Sequence, residues 1–375
     1  MEAGMKKGFA ILGLVLTAVL IASPDLFAEK KIRLKKAPSF AREGVWLNGA
    51  PAGRKVFDHK ITLVWFWDYT AINCLRELRY LKSWYEHYHP YGLEVIFVHA
   101  PEFEFAKKEE NLKGAVERLG VPFPIYLDND FKLWEGYGVQ AWPTRYLVND
   151  GGRIVMSKSG EGDYMQMEQA IRDALKAIHP AAVLPDFVRE KERERFDLDQ
   201  CGDMSPETYT GYKKRNDLWG AEIADATGIV PDQTRVYLDR GKRVEHGFFV
   251  QGKWTNRAEA FEHARETPDY TDYLGVLYLA SEVYVVMDSE ERGTDGVKVY
   301  VTRDEAPVPQ YLRGPDVHED DHGATYILFK EPRLYYLISN ENEEPHEIKL
   351  WAGKKGVDIH SFSFANRCLN DFDHV

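Results

Sequence analysis

An apolar strand that leads through a short turn into a helix is the feature that most constrains the fold. Residues 61–67 form a nearly continuous apolar run, which is typical of a strand buried on both faces. In residues 71–88, apolar side chains recur every third position, the spacing of one helix face: Leu75, Leu78, Leu81 and Trp84. This unit predicts an α/β arrangement in which the turn at 68–70 connects a buried strand to a helix.

Strands and helices continue to alternate as far as residue 178. Further strands are predicted at 93–98, 125–127, 145–148 and 154–157, and further helices at 112–119, 131–137 and 165–178. The segment from Asn149 to Gly152 has the composition of a hairpin turn. This order of elements predicts an α/β layer domain over residues 38–178.

The second half of the chain has a different pattern. From residue 205 onward, many short β-rich runs are separated by turn residues, and no long helix interrupts them. This pattern predicts an all-β antiparallel sandwich, jelly-roll-like, over residues 205–370. Between the two domains, residues 179–204 contain prolines and a mixed-charge run at 189–195, which predicts a solvated linker.

The first 28 residues have the composition of an export signal. Lys6 and Lys7 precede a stretch without charge from residue 9 to residue 22, and Ala28 offers a small residue for cleavage. Basic residues at 30–36 oppose translocation. Residues 1–28 are therefore interpreted as a signal peptide or an N-terminal anchor. We expect a periplasmic or cell-envelope location, with membrane contact only through an uncleaved leader.

Charge and cysteine content argue against a nucleic-acid partner and against a cysteine-rich site. The chain carries 48 basic and 60 acidic residues, a net charge of −12, and a nucleic-acid partner requires a basic face. Three cysteines are too few for a disulfide scaffold or a cysteine-rich zinc site. We therefore expect no nucleic-acid partner, no cofactor and no metal.

The segment at residues 66–76 carries a family pattern. It reads Phe-Trp-Asp-Tyr-Thr-Ala-Ile-Asn-Cys-Leu-Arg and resembles the active-site segment of TlpA/DipZ-type thioredoxin-like proteins. Further matches follow in order at 78–85, 99–103, 127–130, 142–143 and 160–164. Residues 204–365 resemble the carbohydrate-binding-like module that follows in DipZ-type proteins. The resemblance implies a thioredoxin fold and thiol–disulfide oxidoreductase activity in the cell envelope.

The resemblance fails at the first active-site cysteine, because Ala71 occupies its position and only the second, Cys74, remains. In such enzymes the first thiol attacks the substrate disulfide and the second resolves the mixed disulfide. Dithiol exchange is therefore expected to be lost. Cys74 is either an inert small hydrophobe, a single reactive thiol whose thiolate Arg145 stabilises, or a mixed-disulfide partner.

The resemblance also implies a substrate groove beside this helix. Pro143 is expected to be a cis-proline that exposes backbone to an extended substrate. The other residues assigned to the groove are Trp67, Asn73, Glu102, Trp142 and Arg145. Glu102 is either a proton acceptor for the thiol or a solvated carboxylate.

Three features of the second half complete the predictions. Trp254 is either a core residue or a platform for a sugar. Residues 318–322 match the His-Glu-x-x-His zinc-protease pattern, but their turn-rich flanks favour a polar loop. Cys201 and Cys368 flank the sandwich, whose chain ends often lie close together, and we expect a structural disulfide between them.

These observations leave three functional hypotheses. In the first, the chain is a degenerate oxidoreductase that binds an envelope protein or peptide in the groove at Trp142 and Pro143. In the second, it is a one-cysteine redox enzyme, peroxidase-like or dependent on an external thiol, that uses Cys74. In the third, the sandwich binds envelope glycans and the first domain supports it.

Overall fold

The computed structural model describes residues 34–41, 43–49, 56–188, 203–217, 229–245, 247–289, 293, 295–342 and 344–366. The predicted leader, Cys201, Cys368 and residues 189–202 of the predicted linker lie outside these ranges. Among the described residues, none of the helices is both long enough and apolar enough to cross a membrane.

The first domain is a six-stranded sheet covered by helices on both faces. Its strands are Trp46–Leu47 (β1), Ile61–Trp67 (β2), Leu93–His99 (β3), Ile125–Leu127 (β4), Thr144–Val148 (β5) and Ile154–Ser159 (β6). Its α-helices are Ile72–Tyr88 (α1), Glu109–Leu119 (α2), Lys132–Tyr137 (α3) and Tyr164–Ile178 (α4). The strand order is β1-β4-β3-β2-β5-β6. Strands β2, β3 and β4 are parallel, and β1, β5 and β6 run antiparallel to their neighbours.

Strand β2 is buried along its whole length because its side chains alternate between two cores. Trp65 and Trp67 point into the larger core, which α1, α2 and α4 cover. Val64 and Phe66 point into a smaller core on the opposite face, which α3 covers. The sheet is thus enclosed by helices on both sides, and the predicted α/β thioredoxin-like fold is confirmed.

The second domain is built almost entirely from antiparallel strands. They are Thr208–Tyr209 (β7), Thr234–Tyr237 (β8), Phe248–Asn256 (β9), Phe261–His263 (β10), Asp272–Leu279 (β11), Glu282–Ser289 (β12), Val297–Arg303 (β13), Ala306–Pro307 (β14), Val317–Glu319 (β15), Thr325–Phe329 (β16), Arg333–Ser339 (β17), Pro345–Ala352 (β18) and Val357–Ala365 (β19). A short helix, Tyr212–Asp217 (α5), lies between β7 and β8.

Strand β9 connects the two layers of this domain. Its first half pairs with β11, and its second half pairs with β8 and β10. Gly252 lies between the halves with φ +100°, and a Cβ there would lie 2.0 Å from Asp272 Cγ. Only glycine tolerates both conditions, so the strand bends there and passes from one layer to the other.

One hydrophobic core lies between the layers. It includes Phe261, Val285 and Ile359 from one layer and Leu274 and Val299 from the other. Two packed antiparallel layers around a shared core are a sandwich, so the predicted all-β architecture is confirmed. Trp254 is fully buried and belongs to this core, and it offers no accessible face to a sugar.

The larger core of the first domain extends into the second. Tyr209, Tyr284, Val286, Leu334 and Ala365 of the sandwich belong to the same hydrophobic cluster as α1 and β2. The described residues from Lys35 onward accordingly form one compact unit. The sandwich therefore packs directly against the thioredoxin-fold domain.

Candidate active site

Asp68 organises the turn between β2 and α1. Its Oδ1 accepts hydrogen bonds from the Thr70 backbone N–H (2.8 Å) and from the Thr70 hydroxyl (2.9 Å). Its Oδ2 accepts a hydrogen bond from the backbone N–H of Glu102, in the loop after β3. Because Asp68 is fully buried, these bonds compensate its desolvation and hold the two loops together.

Ala71 occupies the N-cap of α1, with extended backbone and no side-chain cap. It is partly exposed, whereas Cys74, one turn further along, is fully buried. Cys74 is a free thiol, and the other two cysteines of the sequence lie outside the described residues. The accessible position of the site therefore carries a methyl group, and the remaining sulfur lies below the surface.

Burial sets the chemistry of the Cys74 thiol. Desolvation raises the pKa of Cys74 well above its ordinary value, and the carboxylates of Glu77, Asp68 and Glu161 act in the same direction. A hydrogen bond with the Asp68 backbone opposes the shift without reversing it. Since the thiolate is the reactive form, this environment disfavours reaction at Cys74.

The Trp142–Pro143 peptide bond is cis, as the resemblance implied. Strand β5 begins at the next residue, and its Thr144 pairs with Phe66 near the end of β2. This register brings Pro143 to the same end of the sheet as the turn before α1. Trp142 is partly buried, and its indole N–H donates to the Ala100 carbonyl (2.9 Å). Trp142 and Pro143 thus lie at the same end of the sheet as the turn before α1, where Trp142 is partly exposed and Pro143 is buried.

Trp67 and Arg145 require correction. Trp67 is fully buried, with its ring stacked on Trp65 at 5.4 Å, and it does not line an accessible groove. Arg145 pairs with Trp65 across the strands, so its side chain enters the same core under α1. There its Nε lies 3.2 Å from Glu77 Oε1, and its Nη2 donates to the Gly162 carbonyl (2.5 Å). Its charge is directed at these groups and not at the groove.

Sequence reasoning missed Glu77, the fully buried partner of Arg145. Burial raises the pKa of Glu77 to about 8, and Arg145 opposes that shift. Glu77 lies one turn after Cys74 on α1 and contributes to the raised pKa of the thiol. The sequence does contain a signal for this residue, because Glu77 follows Cys74 by about one helical turn.

Asn73 is exposed at the start of α1, and its side chain contacts an ion pair through a hydrogen bond. Its Oδ1 accepts a hydrogen bond from Arg76 Nη2 (2.5 Å). Arg76 also donates to both carboxylate oxygens of Glu161, at 2.9 and 2.6 Å. Asn73 therefore contributes to a bidentate contact between α1 and the loop before α4.

Glu102 is buried and faces the sandwich. The Tyr209 hydroxyl of β7 donates to Glu102 Oε1 (2.5 Å). Burial, followed by repulsion from Glu207, raises the pKa of Glu102 to about 8, while Lys214 opposes the shift. Glu102 is thus not a solvated carboxylate, and it takes part in a polar contact between the two domains.

The His-Glu-x-x-His segment is not helical. His318 and Glu319 belong to strand β15, and His322 lies in the turn that follows. Asp320 Oδ1 accepts hydrogen bonds from the backbone N–H groups of His322 (2.9 Å) and Ala324 (3.0 Å). The two histidines therefore lack the shared helix face that a zinc protease requires, and the predicted polar loop is right only in part, because His318 and Glu319 lie in a strand.

Two family models match the chain, one on each domain. The AhpC/TSA family matches residues 34–157, and the thioredoxin-like C-terminal domain matches residues 205–365. A thiol-disulfide isomerase from Corynebacterium glutamicum is a similar solved structure, with 19% identity and a TM-score of 0.33. That likeness covers 37% of this chain and 96% of the other.

Curated relatives match one or both domains. Protein DipZ from Mycobacterium tuberculosis is 31% identical over 323 residues, which is 85% of this chain and 41% of DipZ. The chain thus spans about two fifths of the length of that relative. Thiol-disulfide oxidoreductase ResA from Halalkalibacterium halodurans is 28% identical over 160 residues, 42% of this chain and 85% of ResA. The chain therefore combines a thioredoxin-like fold with an all-β domain, and it is similar to DipZ and, over its first domain, to thiol-disulfide oxidoreductase ResA.

Proposed function

We propose that this chain is an exported thioredoxin-fold protein that has lost dithiol–disulfide exchange and retains its groove as a binding site. The observation that carries the proposal is the pairing of Ala71, at the accessible start of α1, with Cys74, fully buried one turn later. Exchange requires an accessible thiolate and a second thiol that resolves the mixed disulfide. The helix offers neither an accessible sulfur nor a pair.

The groove itself supports a retained binding role. Ala71 and Trp142 are both partly exposed and both pack against the main core of the domain. Trp142 packs against Trp134, with ring centroids 4.5 Å apart, and its indole N–H is held by Ala100. A partly exposed aromatic side chain held in place by these contacts is a preorganised surface, which reduces the entropy lost on binding. An extended peptide from an envelope protein is the ligand that we propose.

The rival hypotheses have weaker support. A one-cysteine enzyme needs an activated thiolate, whereas burial raises the pKa of Cys74 and Arg145 is engaged with Glu77. Glycan binding through stacked aromatic rings has no support at Trp254, which is fully buried. Export remains part of the proposal and is inferred from the composition of residues 1–28.

The first test measures the reactivity of the Cys74 thiol and the insulin-reducing activity of the chain. In a Cys201→Ser/Cys368→Ser variant, Cys74 is the remaining thiol of the chain. We expect negligible native reaction with a disulfide reagent at pH 8 and complete reaction after unfolding, because burial disfavours the thiolate. We also expect the wild-type chain to leave the rate of insulin reduction by dithiothreitol unchanged. Rapid native labelling with an apparent pKa below about 8.5, or robust insulin reduction, contradicts the proposal.

The second test addresses the groove. An array of unstructured peptides should yield sequences that bind the wild-type chain. Trp142→Ala should weaken that binding at least about 10-fold, since anchoring tryptophans are frequent binding hot spots. Val236→Ala, which removes an exposed apolar side chain from the sandwich, is the matched control. Equal affinities for the wild type and Trp142→Ala, with far-UV circular dichroism unchanged, would exclude this groove as the binding site.

A further inference from the structure

Strand β10 places a histidine between two hydrogen-bond acceptors. The side chain of His263 is fully buried, and its Nδ1 lies 2.7 Å from the carbonyl oxygen of Lys354, in the turn between β18 and β19. Its Nε2 lies 3.1 Å from Oδ2 of Asp272, at the start of β11. A carbonyl oxygen accepts hydrogen bonds and cannot donate them. Nδ1 must therefore carry a proton to form the first contact.

The second contact requires a proton on either Nε2 or the carboxyl group of Asp272. Oδ2 of Asp272 already accepts hydrogen bonds from the Lys253 backbone N–H (2.9 Å) and from Arg265 Nε (2.7 Å). Its Oδ1 accepts a hydrogen bond from Arg265 Nη2 (2.5 Å). Burial opposes the ionisation of Asp272, but its hydrogen bonds lower its pKa below the ordinary value. Asp272 is therefore a carboxylate, and the proton of the second contact belongs to His263.

The surroundings of His263 suit a positively charged imidazolium ring. The Trp254 indole ring lies 4.9 Å from the imidazole ring, and a cation within about 6 Å of an indole is attracted by its π system. The carboxylate of Asp272 attracts the same charge. Arg265 shares that carboxylate, but its side chain is 44% exposed, so solvent screens its repulsion of the ring. The ammonium group of Lys354 is also exposed.

The doubly protonated ring joins the segments around the bend of β9. Asp272 fits against that bend because residue 252 is a glycine, and it binds the N–H of Lys253 there. His263 links the carboxylate to the turn between β18 and β19, where the Gly356 N–H donates to the His263 carbonyl (2.8 Å). If Nε2 lost its proton, its lone pair would face the carboxylate in a fully buried place, which is costly.

We propose that His263 is a doubly protonated imidazolium in the folded chain and that its proton holds the bend of β9 closed, so that the sandwich loosens there in alkaline solution. Opening the bend exposes the ring to water, where an ordinary histidine releases its proton near pH 6.5. Opening at higher pH therefore releases one proton, and the opening constant should rise about 10-fold per pH unit. None of these groups belongs to the groove, so this clamp is independent of the proposed binding role.

The first measurement is NMR of the full chain with ¹⁵N-labelled histidine at pH 7.5, where an exposed histidine is mostly neutral. We expect one ring with protons on both nitrogens and nuclear Overhauser contacts to the Trp254 indole. In Asp272→Asn this ring should become neutral, whereas the matched control His318→Gln, on β15, should leave it doubly protonated. A lone-pair nitrogen on the wild-type ring beside Trp254 overturns the proposal, whether or not Asp272→Asn folds. A ring that stays doubly protonated in folded Asp272→Asn also overturns it.

The second measurement is hydrogen exchange of the wild type at pH 7, 8 and 9, with each rate divided by the intrinsic rate at that pH. Peptides that contain the amides of Lys253 and Gly356 should show opening constants that rise about 10-fold per pH unit. Strand β16 of the same sandwich is the internal control, because it reports the pH dependence of global stability. If the amides at the bend show no rise beyond that of β16, the proton does not hold the bend closed, even where NMR shows an imidazolium.

Discussion

Replacing Ala71 with cysteine should give the purified chain an insulin-reducing activity that we expect the wild type to lack. A thiol at this N-cap faces the free N–H groups and the positive end of the dipole of α1, which lower its pKa. Cys74 then lies three residues further on as the resolving thiol. Since loss of a nucleophile costs several orders of magnitude in turnover, we expect a gain of at least about 100-fold over the wild type.

The controls for this gain in activity test the nucleophilic thiol and the resolving thiol separately. Ala71→Ser should remain inert, because it adds a polar atom of similar size without a nucleophilic sulfur. Ala71→Cys/Cys74→Ser should form a stable mixed disulfide with substrate but should not turn over, because the resolving thiol is missing. If Ala71→Cys reacts with a thiol reagent yet does not reduce insulin, the missing sulfur is not what separates this chain from an oxidoreductase.

Substituting Glu102 with glutamine should remove one of the contributions that make stability fall between pH 5 and pH 9, while the contribution of Glu77 remains. The groups that face Glu102 are Glu207 and Tyr209 of the sandwich, Lys214 of α5 and Asp68 of the turn. Its pKa is raised to about 8 in the folded chain, against an unfolded value near 4.5. The stabilising contribution of its protonated form is therefore complete below about pH 4.5 and is lost as the pH rises through about 8.

Glutamine keeps an acceptor for the Tyr209 hydroxyl but cannot ionise. Between pH 5 and pH 9, the unfolding free energy of the wild type should therefore fall more than that of Glu102→Gln, by about 3 kcal/mol. Chemical denaturation at pH 5, 7 and 9 measures the unfolding free energies of the wild type and of Glu102→Gln. The control is Glu104→Gln, at an exposed position two residues away, and the pH dependence of its unfolding free energy should match that of the wild type. Parallel curves for the wild type and Glu102→Gln would show that this carboxyl does not couple pH to stability.

The sequence predicted well those features that depend on local patterns. The run at 61–67 coincides with β2, because a strand buried on both faces is apolar at every position. Helix α1 starts at Ile72, one residue after the predicted start, because Ala71 is its N-cap. The hairpin at Asn149 to Gly152 joins β5 and β6, since its turn residues act locally.

Side-chain direction in buried strands was harder to predict. Trp67 and Arg145 were assigned to the groove, yet both point into the core under α1. A strand with apolar residues on both faces has no polar alternation to show which residues face which core. Side-chain direction was therefore settled by strand pairing, which joins Trp65 to Arg145 and is not visible in the sequence of either strand.

No local pattern in the sequence predicts the contacts between the two domains. Tyr209 and Glu102 are 107 positions apart and meet only because β7 lies against the loop after β3. Each of these residues reads in the sequence as an ordinary polar residue beside an apolar run.

The shared core has a consequence for how this protein can vary. Tyr284, Val286 and Leu334 of the sandwich fill the same interior as the first helix of the thioredoxin fold. A substitution on that helix must therefore suit a neighbour encoded some 200 positions downstream, whereas Ala71, at the partly exposed N-cap, is under less packing constraint. Catalytic chemistry can disappear from such a protein by a single change while its architecture persists, and neither half can be exchanged for a relative's without refitting the other.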